Sequence, residues 1–112
     1  MELEHRQEGG VLVVKLLEKR LDARSAPSFK QKLSAFVQAG QHRIALDLSE
    51  IDFVDSSGLG AIVSVLKQLG GQGDIVVCGT RDPVMSMFKL TRLDKVFVMV
   101  PRLDEALVAL NR

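Results

Sequence analysis

The sequence has no tryptophan and no tyrosine, and only one cysteine, three prolines and two histidines among its 112 residues. Each scarcity excludes something. With Cys78 as the only thiol, no intramolecular disulfide can form, so the fold must rest on its core. A chain of this length buries about two-thirds of the surface it exposes when unfolded, enough for a single domain over residues 1–112. The only aromatics besides the histidines are Phe29, Phe36, Phe53, Phe88 and Phe97. Most fall in apolar runs that read as core, so a platform for stacking bases is hard to assemble. There is no surplus of either charge: 15 Lys and Arg against 14 Asp and Glu leave a formal +1. That argues against a nucleic-acid binder held by phosphate contacts. No apolar run approaches the ~20 residues of a bilayer span. The opening Met1–His5 is polar and acidic rather than basic and then apolar. Neither a targeting signal nor direct membrane insertion is expected, and the cytoplasm is the default location.

What is present is an alternation of two periods. Val11–Leu17 is valine-rich and apolar except for Lys15, which suits a mostly buried strand. Gly9-Gly10 before it reads as a hairpin turn that pairs it with a polar edge strand, Glu2–Glu8. Phe29, Leu33, Phe36 and Val37 then form one helical stripe, with Pro27 in the first turn, Ser25 or Asp22 as cap and Gly40 as stop. Arg43–Leu48 alternates, with Ile44, Leu46 and Leu48 on one face, implying that the other face is partly wet. A second helix from about Ser57 turns Leu59, Ile62, Val63, Leu66 and Leu69 inward and ends at Gly70-Gly71. Ile75–Cys78 is a short buried strand in which Cys78 is an inert thiol. Asp82 to about Leu93 is helical with Val84, Met87 and Phe88 inward, Val96–Val100 is the last strand, and a helix through Leu103, Ala106, Leu107 and Leu110 closes the chain. Repeated strand–helix alternation predicts an α/β fold: a mainly parallel five-stranded sheet with an N-terminal antiparallel hairpin strand and four helices.

In such a sheet, chemistry sits beyond the carboxyl ends of the strands. The segment that stands out there is Ile51-Asp52-Phe53-Val54-Asp55-Ser56-Ser57-Gly58-Leu59-Gly60. Its apolar run reads as a small extra strand, and its serines and glycines meet the start of a helix, where free N–H groups favour an anion. Residue types alone leave four readings open. Asp55, Ser56 or Ser57 caps the helix. A serine is a nucleophile, although G-x-S-x-G spacing is missing and neither His5 nor His42, both read as solvated, is suitably placed. Gly58-x-Gly60 belongs to a phosphate loop, although the G-K-[ST] ending is missing. Or a serine is itself modified. Asp47 and Asp55 lack a His or Cys cluster, so neither a metal nor another cofactor is expected. Arg24, Lys30 and Lys32 give the first helix a mildly basic character, and Met85 reads as core filler or as a partly exposed contact.

The run Asp55-Ser56-Ser57-Gly58-Leu59-Gly60 after Ile51–Val54 resembles the phosphorylation-site signature of bacterial anti-sigma factor antagonists, members of the STAS domain family. The likeness extends over nearly the whole chain, through Leu21-Asp22, Ile44–Leu48, Gly70-Gly71 with Ile75–Cys78, and Phe88–Val96. It implies a non-enzymatic partner-switching module. In the family the second serine of the pair is phosphorylated, which falls on Ser57. The kinase is an anti-sigma factor with a histidine-kinase-type ATPase fold, and a metal-dependent serine phosphatase resets the switch. Asp22 matches a family position used in binding the kinase. Asp22, Arg24, Asp55, Ser56, Ser57, Gly58, Leu59 and Gly60 are thus the candidate partner-binding residues. Lys19 and Arg20 stand where family members often carry Gly and an acidic residue, a local reversal of charge. Two other roles remain: a STAS subunit of a membrane transport system, and a small nucleotide-binding or serine-dependent enzyme.

Overall fold

A computed structural model describes Met1–Arg112. The chain runs β1 (Leu3–Glu8), β2 (Val11–Leu16), β3 (Arg20–Leu21), α1 (Ala26–Gln38), β4 (Arg43–Asp47), β5 (Phe53–Val54), α2 (Ser56–Leu69), β6 (Asp74–Cys78), α3 (Asp82–Leu90), a 3-10 turn (Leu93–Lys95), β7 (Val98–Val100) and α4 (Leu103–Leu110). The five-stranded sheet has the order β1-β2-β4-β6-β7. Only β1 runs antiparallel to its neighbour, as the glycine hairpin requires, and the other pairs are parallel. The α/β fold, its mainly parallel five-stranded sheet and its four helices are as the sequence predicts. The sequence did not reveal the strand order, or that β3 and β5 pair in a separate two-stranded parallel sheet.

The alternation along the strands sorts the core into two unequal layers. Leu12, Val14 and Leu16 of β2, Ile44 and Leu46 of β4, and Ile75 and Val77 of β6 face α1, α2 and α3, meeting Phe29, Leu33, Ile62 and Phe88. Fully burying each such side chain contributes roughly 1.5–3 kcal/mol. On the opposite face Val11, Val13, Ala45, Val76 and Cys78 lie under α4 alone, through Ala106 and Leu110. The predicted wet face of β4 is therefore confined to the strand's ends. Arg43 is exposed and Asp47 half-buried, but Ala45 between them is fully covered. An alanine leaves room for a helix to lie directly on the sheet.

Two further boundaries shift. The third helix stops at Leu90, not Leu93, because Arg92 takes up a left-handed conformation (φ 63°) and the chain tightens into the 3-10 turn. The last strand accordingly begins at Val98 rather than Val96, with the Phe97 N–H donating to the Leu93 carbonyl at 3.0 Å. In α2 the inward arc is wider than predicted. Ala61 and Val65 are buried, while Val63 and Leu66 are only half-buried against the core. This helix packs on both α1 and the sheet, so it presents apolar surface in two directions. Gly70 ends it in the left-handed conformation that a C-terminal glycine adopts without penalty.

Candidate functional site

β3 follows β2 and β5 follows β4, so the small sheet lies beyond the carboxyl ends of these two adjacent strands. Arg20 pairs with Phe53 and Leu21 with Val54. The Lys19 carbonyl accepts the Asp52 N–H at 2.8 Å, and the Leu21 carbonyl accepts that of Asp55 at 3.3 Å. These bonds join the loop before α1 to the loop before α2. One side chain reinforces the junction. Asp55 is the N-cap of α2: its Oδ1 accepts the Gly58 N–H at 2.9 Å, and its Oδ2 accepts the Ala23 N–H at 3.2 Å.

With the cap taken by Asp55, Ser56 and Ser57 occupy the first two helical positions, both exposed. The backbone carbonyl of Asp55 satisfies the Leu59 N–H. The serines are thus relieved of the capping task that residue types alone would give them, and their hydroxyls face outward. Ser57 opens a stripe at helical spacing, Ser57–Ala61–Ser64, which with Ala23, Ala26, Pro27 and Lys30 lines a groove of about 400 Å³ between α1 and α2. Small residues on both helices keep this groove open.

Gly58 and Leu59 do not belong to the contact surface proposed from sequence, because both are buried. Gly58 acts from beneath. A Cβ there would strike the Leu21 carbonyl oxygen and approach the Val54 Cγ2 at 2.9 Å, so only glycine lets the first turn of α2 lie against β3. Leu59 fills the core below. Gly60 is exposed, with nothing within 4 Å of a Cβ placed on it.

Asp22 organises the other loop. Its Oδ1 accepts the Arg24 N–H at 3.1 Å and the Ser25 N–H at 3.4 Å, and Ser25 Oγ accepts the Asp22 N–H at 3.1 Å. This reciprocal turn leads into α1, but the predicted side-chain cap is not made: Ser25 stands at the N-cap without a cap hydrogen bond, and it is the Asp22 backbone carbonyl that accepts the Ala26 N–H at 2.8 Å. Partial burial pushes the Asp22 carboxyl up, but the Arg20 hydrogen bond and the backbone N–H groups of Arg24 and Ser25 outweigh it and hold the carboxyl below its ordinary value. Arg24 is exposed. Arg20 Nε donates to Asp22 Oδ2 at 3.2 Å, and the guanidinium lies 4.0 Å over the centre of the Phe53 ring.

Sequence reasoning missed Arg20 and Phe53 as members of the site. Phe53, which the sequence places in a small extra strand, is 39% exposed. The available signal was the pair of acidic residues that bracket Phe53-Val54, Asp52 and Asp55, in a run too short to be a buried strand. His5 lies against Phe36, with ring centroids 4.8 Å apart, and His42 precedes β4 at the opposite end of the sheet; both are exposed. Cys78 is buried, and its thiol is pushed up to about 12, first by burial and then by the Asp47 charge. No helix is long and apolar enough to cross a membrane.

Comparison with known proteins decides what this arrangement is. Residues 2–106 match the profile of the STAS domain. The chain belongs to the STAS domain family. The anti-sigma F factor antagonist of Paenibacillus polymyxa is a STAS relative 30% identical over 113 residues, spanning 99% of this chain and 94% of its own. An anti-sigma-B factor antagonist of Listeria monocytogenes is 31% identical over 77 residues, 68% of each chain. The crystal structure of an anti-sigma factor antagonist from Mycobacterium paratuberculosis superposes with a TM-score of 0.91 at 29% identity, covering 99% of this chain and 94% of the other. The match reaches across both core layers and the small sheet, so the site described above sits on a complete STAS fold.

Proposed function

We propose that this STAS protein is an anti-sigma factor antagonist that works by partner switching. Its unphosphorylated form binds an anti-sigma factor that is also a serine kinase with a histidine-kinase-type ATPase fold. Phosphorylation of Ser57 releases that partner, and a metal-dependent serine phosphatase reverses the mark. The protein supplies the acceptor hydroxyl and the docking surface, and the kinase supplies the chemistry. Names of the relatives support the regulatory class. One observation carries the assignment to Ser57: it is exposed at the mouth of the α1–α2 groove while Asp55 holds the cap, so its hydroxyl is free to react without unravelling the helix.

The physics of release is electrostatic. A phosphate adds about −1.5 to −2 charges at neutral pH. At the second position of a helix it lies near the positive end of the dipole, so the fold tolerates it. An interface shaped around a neutral serine and small groove residues would instead meet a bulky dianion beside Asp55. Like-charge juxtaposition across an interface costs several kcal/mol, and each ~1.4 kcal/mol is tenfold in affinity. The test is titration of Ser57→Ala and Ser57→Asp against the kinase, with intact-mass and peptide mapping after incubation with ATP. The alanine variant should bind and accept no phosphate. The aspartate variant should bind at least tenfold more weakly while remaining folded. Equal affinities, or a mark on Ser56, would overturn the assignment.

A further inference from the structure

We infer that Arg20 is a preorganised fork that reads a carboxylate of the partner protein, and that the partner presents an Asp or Glu side chain to it beside the Ser57 groove. The inference rests on the docking role proposed above and adds the chemistry that selects the partner.

Two contacts fix the guanidinium. Its carbon lies 4.0 Å over the Phe53 ring and its Nε is 3.2 Å from Asp22 Oδ2. The backbone pairing of Arg20 with Phe53 places ring and guanidinium on adjacent strands, so the platform is part of the fold. Only Nε is spent on Asp22; both terminal nitrogens remain available on a side chain 58% exposed. A planar guanidinium held flat, with its terminal edge open, matches a carboxylate through two parallel hydrogen bonds. Because the rotamers are already restricted, less entropy is lost when the partner arrives.

Hydrogen bonding around the site leaves room for the same occupant. Its two nearest carboxylates are engaged internally: Asp22 accepts from Arg20 and two backbone N–H groups, and Asp55 accepts from Gly58 and Ala23. Lys19, Arg24 and Lys30 make no ion pair, and against Glu18, Asp22, Asp52 and Asp55 the charges of this face balance, so what distinguishes it is the fixed, unspent edge of Arg20.

The probe is the purified serine kinase of the source organism that adds the mass of one phosphate to Ser57. Its affinity is measured by calorimetry at low and high salt for the wild type and for Arg20→Ala, Arg20→Lys, Arg20→Glu, Phe53→Leu, Ser57→Ala and Ser57→Asp. Arg20→Ala should weaken binding more than tenfold and flatten the salt dependence. Arg20→Lys should recover only part of the loss, because an ammonium keeps the charge but not the fork. Phe53→Leu should also weaken binding although Arg20 is present. Arg20→Glu should be rescued by reversing one surface carboxylate of the kinase. Thermal melts confirm that each variant is folded. Arg20→Ala binding within twofold of wild type, or Arg20→Lys binding equally well, overturns the fork while leaving the Ser57 switch in place. Equal binding of the Ser57 variants together with a loss at Arg20 overturns the switch and supports the fork.

Discussion

Gly58 and Leu21 approach so closely that a Cβ on the glycine would overlap the leucine carbonyl oxygen. That oxygen is fixed in place because it also accepts the Asp55 N–H at 3.3 Å. Neither backbone can give way alone. Gly58→Ala should therefore destabilise the protein by about 2–3 kcal/mol, lowering Tm by roughly 10 °C. Two positions along, nothing lies within 4 Å of a Cβ on Gly60. Gly60→Ala should stabilise the helix by up to ~1 kcal/mol. Paired thermal melts check the opposite signs.

Asp55 performs two tasks with one carboxylate, capping α2 at Gly58 and tying Ala23 of the neighbouring loop. Asp55→Ala should cost about 1–2 kcal/mol in chemical denaturation. Asp55→Ser should restore part of that loss, because a hydroxyl can cap the helix but has a single oxygen for two donors. Full recovery by serine would show that the tie to Ala23 contributes nothing.

The Asp22 carboxyl, held low by its hydrogen bonds against the push of partial burial, should titrate in NMR below the ordinary 3.8 of an aspartate. A depressed carboxyl stabilises the fold above its unfolded value, and the benefit disappears as pH falls through the folded one. Stability should therefore decline as pH drops below about 3.8. Arg20→Ala should shift the Asp22 midpoint upward. An unchanged midpoint would assign the depression to the backbone N–H groups alone.

Burial under α4 pushes the Cys78 thiol from 9.0 up to about 12. At neutral pH it should be inert to thiol reagents in the folded protein and react at the rate of unfolding. The unfolded thiol ionises first as pH rises, so the native state binds more protons and loses stability between about pH 9.0 and 12. Cys78→Ala should remove that alkaline slope, measured by melts across this range. Fast labelling at pH 7 would contradict the burial.

Much of the fold was legible because its strands and helices differ in period. Ile75–Cys78 is apolar without a break and Val11–Leu16 is broken only by Lys15 because both faces are covered, whereas Phe29, Leu33 and Phe36 recur at helical spacing. The Asp55–Gly60 segment stood out because serines and glycines cluster where a helix begins. The division of labour within it was not legible. Whether Asp55 or a serine caps α2 is decided by the direction from which the chain enters the helix. That Gly58 is indispensable and Gly60 is not depends on Leu21, far away in sequence. The role of Phe53 was not legible because its partner, Arg20, comes from another loop.

The two-residue pairing of β3 with β5 has a consequence for how this surface can change over generations. Positions 20 and 53 face each other across the ladder, so the exposed guanidinium and the ring beneath it form one heritable unit. Replacing Arg20 with an acidic side chain strips Phe53 of its cover, and losing the ring sets the guanidinium adrift. A lineage that alters either position must therefore revise both loops together, while the sheet and its single-helix face remain free to drift on their own.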